Sequence, residues 1–263
     1  MSDRFGLKLV KSTVDTFFEN QIKIHQPAEG YRYAMDPVIL AAQVMPRPGC
    51  KIIDIGCGCG IIPLILGFRN RNVHIIGIEI QSQLAELATK NIAQNQMSDR
   101  IQILNKDVRS TTSYDIQSYD IQSYDNQSYD NQGLADIIVS NPPYKKKDTG
   151  RLNPNIQRAI ARHEIRLELS QFLSSARRLL KPRGQILFIF PADRLQDIVP
   201  GLMSHSFQLD WIQFVHTQKN KIAKLILVSG IKEGRGSCIV RPPLTIYDKQ
   251  NNPTNEYAAM FKP

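Results

Sequence analysis

The chain has 263 residues, of which 42 % are hydrophobic, and carries a formal charge of +9 with a pI near 9.4. That length and composition suit one large domain, or a domain with a small appendage, around a sizeable core. They exclude a disordered polyelectrolyte, and the basic balance points to a polyanionic partner. No run of about 18 apolar residues is present, so no membrane partner is expected. The stretch from Met1 to Lys11 lacks the apolar centre of a cleaved signal peptide, and a cytoplasmic location is expected. Four cysteines (Cys50, Cys57, Cys59, Cys238) make no disulfide framework in a chain this long, and Cys57-Gly58-Cys59 lacks zinc spacing. No metal is expected.

In chain order, Ile22-Lys23-Ile24-His25 alternates as a short strand and Gln26 to Gly30 reads as a turn. Asp36 is expected to cap a helix over Val38 to Val44, with Pro37 as its first helical residue. Met45-Pro46-Arg47-Pro48-Gly49 then marks a boundary. Residues 1–48 form an N-terminal extension packed on a larger domain, 49–263.

From Cys50 the pattern becomes regular. Strands are predicted at Ile52–Ile55, Val73–Glu79, Ile101–Leu104, Ala135–Ser140 and Gln185–Phe190. Helices are predicted at Ile61–Gly67, Gln83–Gln94, Leu167–Leu180 and Ile198–Met203, with Lys181-Pro182-Arg183-Gly184 as a turn. Ile212–Val215 and Leu225–Val228 close the sheet as an antiparallel hairpin. Strands alternating with helices mean an α/β fold with a doubly wound, mostly parallel sheet of about seven strands. Residues 113–132 break the rhythm as four tandem pentapeptides, Ser-Tyr-Asp-Ile-Gln twice and Ser-Tyr-Asp-Asn-Gln twice. The period is too short for a solenoid, so this is read as a low-complexity surface insertion that buries little.

Chemistry concentrates at the predicted strand ends. Asp54-Ile55-Gly56-Cys57-Gly58-Cys59-Gly60 follows the first strand of the regular region, where glycines let a backbone approach a ligand closely. The spacing is Gly-x-Gly-x-Gly, not the Gly-x-Gly-x-x-Gly of a dinucleotide site. Glu79 ends the next strand, placed for two ribose hydroxyls. Asp107 lies just beyond the third, placed for an adenine amine, with Ile80 and Val108 as candidates to flank the ring. Taken singly, Glu79 and Asp107 are ordinary solvated strand-end carboxylates. Ser140-Asn141-Pro142-Pro143-Tyr144 ends the fourth. Taken alone it is a proline-punctuated turn, since proline fixes φ and lacks an N–H. It also supplies two acceptors, the Asn141 side-chain oxygen and the Pro142 carbonyl, beside an aromatic ring. That set can hold a flat amino group by both hydrogens.

The order of Asp54 loop, Glu79, Asp107 and Asn141 tetrapeptide resembles the class I S-adenosylmethionine-dependent methyltransferases over roughly residues 50–230. The resemblance implies a Rossmann-like sheet, S-adenosylmethionine as cofactor, and binding by Asp54, Gly56, Gly58, Gly60, Glu79, Ile80, Asp107, Val108 and Asn141. In that family Asn-Pro-Pro-Tyr marks enzymes that methylate planar nitrogens, so Asn141, Pro142 and Tyr144 are the implied catalytic residues, with Tyr144 stacking on a turned-out base.

Lys145, Lys146, Lys147, Arg151, Arg158, Arg162 and Arg166 follow at once, and beside a base-sized pocket they are read as phosphate-tracking. Lys219, Lys221 and Lys224 extend that track. Gln26 to Ala41 is similar to the leader of the bacterial tRNA adenine-N6-methyltransferases that act beside the anticodon of valine tRNA, at position 37, and this resemblance makes Tyr33 and Asp36 cofactor-side candidates. Tyr-Arg-Tyr-Ala-Met-Asp-Pro-Val departs from it at Pro37-Val38, and the pentapeptides are foreign to it. The expected partner is tRNA or another structured RNA, and a monomer is assumed. The alternatives are a protein-glutamine methyltransferase of the release-factor type, which shares the tetrapeptide but has a longer helical N-terminal domain, and a non-catalytic RNA-binding protein that keeps the fold.

Overall fold

A computed structural model describes residues 12–27, 35–117, 133–142 and 168–262. Strands β1 (Ser12–Phe17) and β2 (Ile22–Pro27) pair antiparallel as a separate hairpin. The main sheet is built from β3 (Cys50–Ile55), β4 (Val73–Glu79), β5 (Ile101–Asn105), β6 (Ala135–Ser140), β7 (Leu180–Pro191), β8 (Phe207–Gln218) and β9 (Ala223–Lys232). Their order is β8-β9-β7-β6-β3-β4-β5. Neighbours are parallel except at β9, which runs antiparallel to both β7 and β8.

The expected seven strands become nine. Two short strands, β10 (Ile239–Val240) and β11 (Leu244–Tyr247), both pair with the outer strand β8. They escaped the periodicity because two to four residues on a sheet edge need no alternating pattern.

Sequential isoleucines explain why the sheet is covered on both faces. Ile52, Ile137, Leu187 and Ile189 point into one core, while Ile53, Ile138, Ile186 and Phe188 point into the other. Strands buried on both sides must be apolar at successive positions. The first core is filled from α1 (Asp36–Ala41), α2 (Ile61–Arg69) and the β1–β2 hairpin. The helices Leu169–Leu179 and Leu195–Ser204 fill the second. The helix Ser82–Gln94, called α3, packs beside β5 and β2.

Several expectations need correction. Met35, not Asp36, is the N-cap of α1, and Asp36 and Pro37 occupy the first turn; the helix stops at Ala41, short of Val44. Lys181-Pro182-Arg183-Gly184 is not a turn between elements but an irregularity inside β7. Leu180 pairs with Ala135, and the next pair is Gln185 with Ile137, so the four residues bulge out of the ladder, with Arg183 at φ 64. The strand β1 had no predicted counterpart.

The first pentapeptide also departs from the surface reading. Ser113–Gln117 is a helix, α4, and its Ile116 is buried against Leu104 and Val108. Thr112 and Asp115 bond reciprocally at its start (Thr112 N–H to Asp115 Oδ2, 2.7 Å; Asp115 N–H to Thr112 Oγ1, 3.3 Å) in the manner of a capping box. Lys106 Nζ reaches Asp115 at 2.5 Å, and that contact leads the effects that draw the Asp115 carboxyl down to about 2. The other three repeats lie outside the described residues from residue 118 onward.

Ile116→Ala should therefore cost about 2 kcal/mol or more in urea unfolding, as buried aliphatic truncations do. Replacing residues 118–132 with a short Gly-Ser linker should leave the unfolding midpoint unchanged.

Candidate active site

Register fixes which strand ends meet. Asp54 pairs with Gly77 on β4 and Val139 on β6, and Glu79 pairs with Asn105 on β5. Continuing those ladders puts Asn105, Glu79, Gly56 and Asn141 side by side along the carboxyl edge of the sheet. Open α/β sheets bind ligands at this edge.

The glycine loop is held there by backbone bonds. The N–H groups of Gly56 and Cys57 both donate to the Ile78 carbonyl, at 2.8 and 3.2 Å, so the chain turns over the end of β4. Gly56, Gly58 and Gly60 have φ of 73, 57 and 86, a region that side chains with a Cβ rarely enter. A Cβ on Gly77 would come within 2.7 Å of Cys57 Sγ and 2.6 Å of Ile103, so only glycine on β4 lets the loop lie this close.

Glu79 completes the attachment. Its Oε2 accepts the Gly58 N–H and its Oε1 the Gln81 N–H, each at 2.9 Å. Burial pushes its carboxyl upward against those two bonds. A carboxylate has about four acceptor positions, so both oxygens retain capacity for a further donor.

Asp54 is different. It is fully buried, and neither side-chain oxygen has a hydrogen-bond partner. Burial first, and then the Glu79 charge, push its carboxyl well above the usual range. A buried acceptor without a donor is costly, so this group is stabilised when a donor or cation reaches it. Cys57 and Cys59 are buried nearby and their thiols are pushed up, Cys59 to about 12, so both stay protonated at neutral pH.

The third strand end is closed by Asp107, which starts a single 3-10 turn, Val108–Ser110. Its carboxylate accepts the Arg109 N–H (2.9 Å) and the Arg109 guanidinium (Nη2 to Oδ2, 2.5 Å), which holds it below the usual carboxylate range. Val108 is buried, whereas Ile80 is 40 % exposed at the end of β4. On the fourth strand the buried Ser140 Oγ donates to the Ile55 carbonyl at 2.7 Å, tying β6 to β3 just before Asn141. Asn141 is half-buried and Pro142 buried. Asp36 sits in the first turn of α1 with its carboxyl pushed up by burial.

The structure thus brings Asp54, Gly56, Gly58, Gly60, Glu79, Ile80, Asp107, Val108, Asn141 and Pro142 to one edge. Tyr33, Tyr144, Lys145, Lys146, Lys147, Arg151, Arg158, Arg162 and Arg166 lie outside the described residues. The β8–β9 turn reaches the same edge, since Leu225 pairs with Pro191 at the carboxyl end of β7, and Lys219 and Lys221 on it and Lys224 at the start of β9 are exposed.

Two residues escaped the sequence reading. Asn105 donates through Nδ2 to the Glu79 carbonyl at 2.8 Å and to that of Ile80 at 3.2 Å, fixing the neighbouring strand end. Asn91, fully buried on α3, donates to the Cys59 carbonyl in the glycine loop at 2.9 Å. Helical periodicity assigns a polar residue at such a position to solvent, so nothing in the pattern marked it.

Residues 46–229 match the family described as "Methyltransferase domain". A tRNA1(Val) (adenine(37)-N6)-methyltransferase of Phocaeicola vulgatus is 30 % identical over 247 residues, 94 % of this chain and 95 % of its own. The chain belongs to the tRNA1(Val) (adenine(37)-N6)-methyltransferase family. A second member, from Porphyromonas gingivalis, is 33 % identical over 81 % of this chain and 79 % of its own. Among solved structures, a predicted O-methyltransferase from Agrobacterium tumefaciens superposes with a TM-score of 0.66 at 20 % identity, covering 86 % of this chain and 95 % of that one. At that identity the likeness concerns the fold, which agrees with the doubly wound sheet expected from the alternation of elements and with the Rossmann-like sheet that the resemblance implied. This family member has no helix long and apolar enough to cross a membrane and no cluster of metal-ligating side chains among the described residues.

The Asp54 carboxyl gives a pH-dependent stability with a defined sign. Its unfolded value is near 3.8, and its folded value lies above that. Between the two, the folded protein holds a proton that the unfolded chain releases, so ligand-free stability falls as pH rises through the interval. Asp54→Asn should therefore raise the Tm of the ligand-free protein at about pH 7.5 and leave it unchanged near pH 3.5, a difference read by scanning calorimetry at both values. The same variant should lose cofactor binding in calorimetric titration at neutral pH.

Proposed function

We propose that this chain methylates N6 of adenine 37 in valine tRNA, in the cytoplasm, with S-adenosylmethionine as donor. Support comes from the carboxyl edge, where a partnerless buried carboxylate, a glycine cradle and the Asn141-Pro142 acceptors stand on neighbouring strands. When bound, S-adenosylmethionine supplies a methyl group on a sulfonium that leaves as a neutral thioether.

The chain's own residues do the rest. Asp54 and the backbone of Gly56, Gly58 and Gly60 form the cradle, and the spare acceptor positions of Glu79 take ribose hydroxyls. Ile80 and Val108 would flank the cofactor's adenine, and Asp107 would accept its amine in place of part of its pairing with Arg109. Tyr33 and Asp36 border the cofactor from the N-terminal side. The observed fit is chemical: buried acceptors face an edge whose backbone is open, since a Cβ on Gly56 would meet nothing within 4 Å.

The acceptor nitrogen is a poor nucleophile because its lone pair is delocalised into the ring. Asn141 Oδ1 and the Pro142 carbonyl accept its two hydrogens and favour a pyramidal nitrogen with the lone pair directed out of the ring plane. Their contribution is orientation and electrostatics. As the N–C bond forms, the nitrogen becomes cationic and acidic, and one proton leaves to water without a strong base. Tyr144 stacks on the base. Lys145, Lys146, Lys147, Arg151, Arg158, Arg162 and Arg166 contact phosphates, joined by Lys219, Lys221 and Lys224 at the β8–β9 turn.

The deciding experiment incubates the protein with methyl-labelled cofactor and separate pools of tRNA, rRNA and release factor. Label should enter tRNA and be recovered as N6-methyladenosine after digestion. Label confined to release factor rejects the proposal in favour of glutamine methylation, and no transfer together with no cofactor binding leaves only an RNA-binding role. Asn141→Ala should lower kcat by about 10²–10³-fold, the scale of losing one oriented hydrogen-bond partner at a reacting centre. Its cofactor Kd should stay well within the tenfold that about 1.4 kcal/mol would produce.

A further inference from the structure

A second basic site lies at the opposite edge of the sheet. Leu180 opens β7 and Lys232 closes the antiparallel β9, so both mark the amino edge of the parallel strands, away from the glycine loop. A hollow of about 640 Å³ opens there between α4 and the helices Leu169–Leu179 (α5) and Leu195–Ser204 (α6). Its lining includes Lys232, Arg177, His205, Ser113, Ser174 and Ser204.

Lys232 is the informative residue. It is only 9 % exposed, and its Nζ donates to the Leu180 carbonyl at 2.7 Å. An ammonium has three donors, so two remain. No carboxylate of the described residues lies within ion-pairing distance of it. Glu233, next in sequence and lining the same hollow, acts on Lys232 from beyond that distance and also makes a long contact of 3.6 Å with Arg177. A buried cation whose only nearby carboxylate stays outside direct pairing is unfavourable, and here it borders a hollow with room for a ligand.

The remaining lining matches one kind of ligand. Arg178 spends its donors on the carbonyls of Val108 (2.7 Å), Thr111 (3.2 Å) and Arg109 (3.3 Å), which fixes the segment leading to Ser113 as a wall. His205 Nδ1 donates to the Gly201 carbonyl at 2.8 Å, so that nitrogen carries hydrogen, and its Nε2 faces Ser170 Oγ at 3.3 Å. Lys232 and Arg177 face one carboxylate, Glu233, with the Ser113 and Ser174 hydroxyls beside them, so donors outnumber the competing acceptors. A tetrahedral oxyanion satisfies both the charge and the donors, and arginine with lysine is the pairing that recognises phosphate.

We propose that this hollow binds a phosphate group, seated on Lys232 and Arg177 with the Ser113 and Ser174 hydroxyls around it. The site stands apart from the methyl-transfer edge and does not depend on which nitrogen is methylated there. The phosphate comes either from the backbone of a bound RNA long enough to reach both edges of the sheet, or from a free anion.

Two measurements separate the sources, each on the wild type, Lys232→Met and Arg177→Gln. The methionine keeps the length of the buried stem, and the exposed arginine can be changed without touching the core. First, the Tm is measured in inorganic phosphate and in sodium chloride of matched ionic strength. Second, tRNA affinity is measured by filter binding at fixed salt. A Tm gain in phosphate over chloride that both variants lose identifies a free-anion site. A loss of tRNA affinity of about tenfold in both variants, the scale of one charged hydrogen bond, identifies the RNA backbone. If neither the phosphate effect nor tRNA affinity differs between the wild type and Arg177→Gln, the proposal is wrong, and a folding defect in Lys232→Met would not rescue it.

Discussion

The bond from the Gly58 N–H to Glu79 carries more of this structure than its single 2.9 Å contact suggests. It fixes a loop of left-handed glycines over the end of the adjacent strand, and it leaves that loop's backbone facing the carboxyl edge. The same carboxylate reaches forward to the Gln81 N–H, so the start of α3 is set by the group that sets the loop. Because Glu79 is anionic and buried, it also acts on Asp54 and adds to the burial that holds that carboxyl's proton. Two carboxyls with so little solvent are a standing cost in the ligand-free protein, of the sort that binding sites retain because the ligand removes it.

The hairpin joins this arrangement through two asparagines. Asn91 on α3 and Asn95, the residue that caps it one turn later, each present an amide oxygen and an amide hydrogen to the edge of β2. Asn91 bonds the N–H and C=O of His25 at 2.8 and 2.9 Å, and Asn95 those of Lys23 at 2.9 and 2.7 Å. Spaced at i and i+4 on a helix and i and i+2 on a strand, the two amides stand in for a neighbouring strand. An unpaired strand edge invites further pairing, and here the helix occupies it. Asn91 Nδ2 also reaches Cys59, so the N-terminal hairpin and the glycine loop share one buried side chain.

What could be read in advance divides along physical lines. The places of Asp54, Glu79, Asp107 and Asn141 at or just past strand ends were legible because such ends are marked twice, by the end of an apolar run and by a residue whose chemistry differs from it. The antiparallel return of β8 and β9 was legible only at its apolar centres, Ile212–Val215 and Leu225–Val228, while the strands run Phe207–Gln218 and Ala223–Lys232. Asn91 was not, because a polar residue in a helix satisfies the same pattern whether it meets solvent or a strand edge. The bulge at Lys181-Pro182-Arg183-Gly184 carried every mark of a turn, and only the pairing of Leu180 with Ala135 on β6 shows that the strand began earlier. The first pentapeptide misled for the opposite reason. Its composition is that of a loop, yet a single isoleucine with a Thr112–Asp115 pair and Lys106 suffices for one helical turn and a half against an existing core.

The segments on either side of the matched methyltransferase region meet at one residue. Arg69 ends α2, where a cation favours the helix dipole. Its guanidinium lies 5.0 Å over the ring of Phe18 in the hairpin turn, and Phe18 stacks on Phe68 at 4.9 Å. From the same position Nη2 donates to the Met260 carbonyl at 2.6 Å, close to the end of the C-terminal helix Asn255–Ala259. Burial lowers its tendency to hold a proton, but guanidinium basicity is high enough that it stays charged. The hairpin and the C-terminal helix are therefore both anchored to the helix that the glycine loop opens. The glycine loop, α2 and the two segments outside residues 46–229 are thus joined into one packed unit through Arg69.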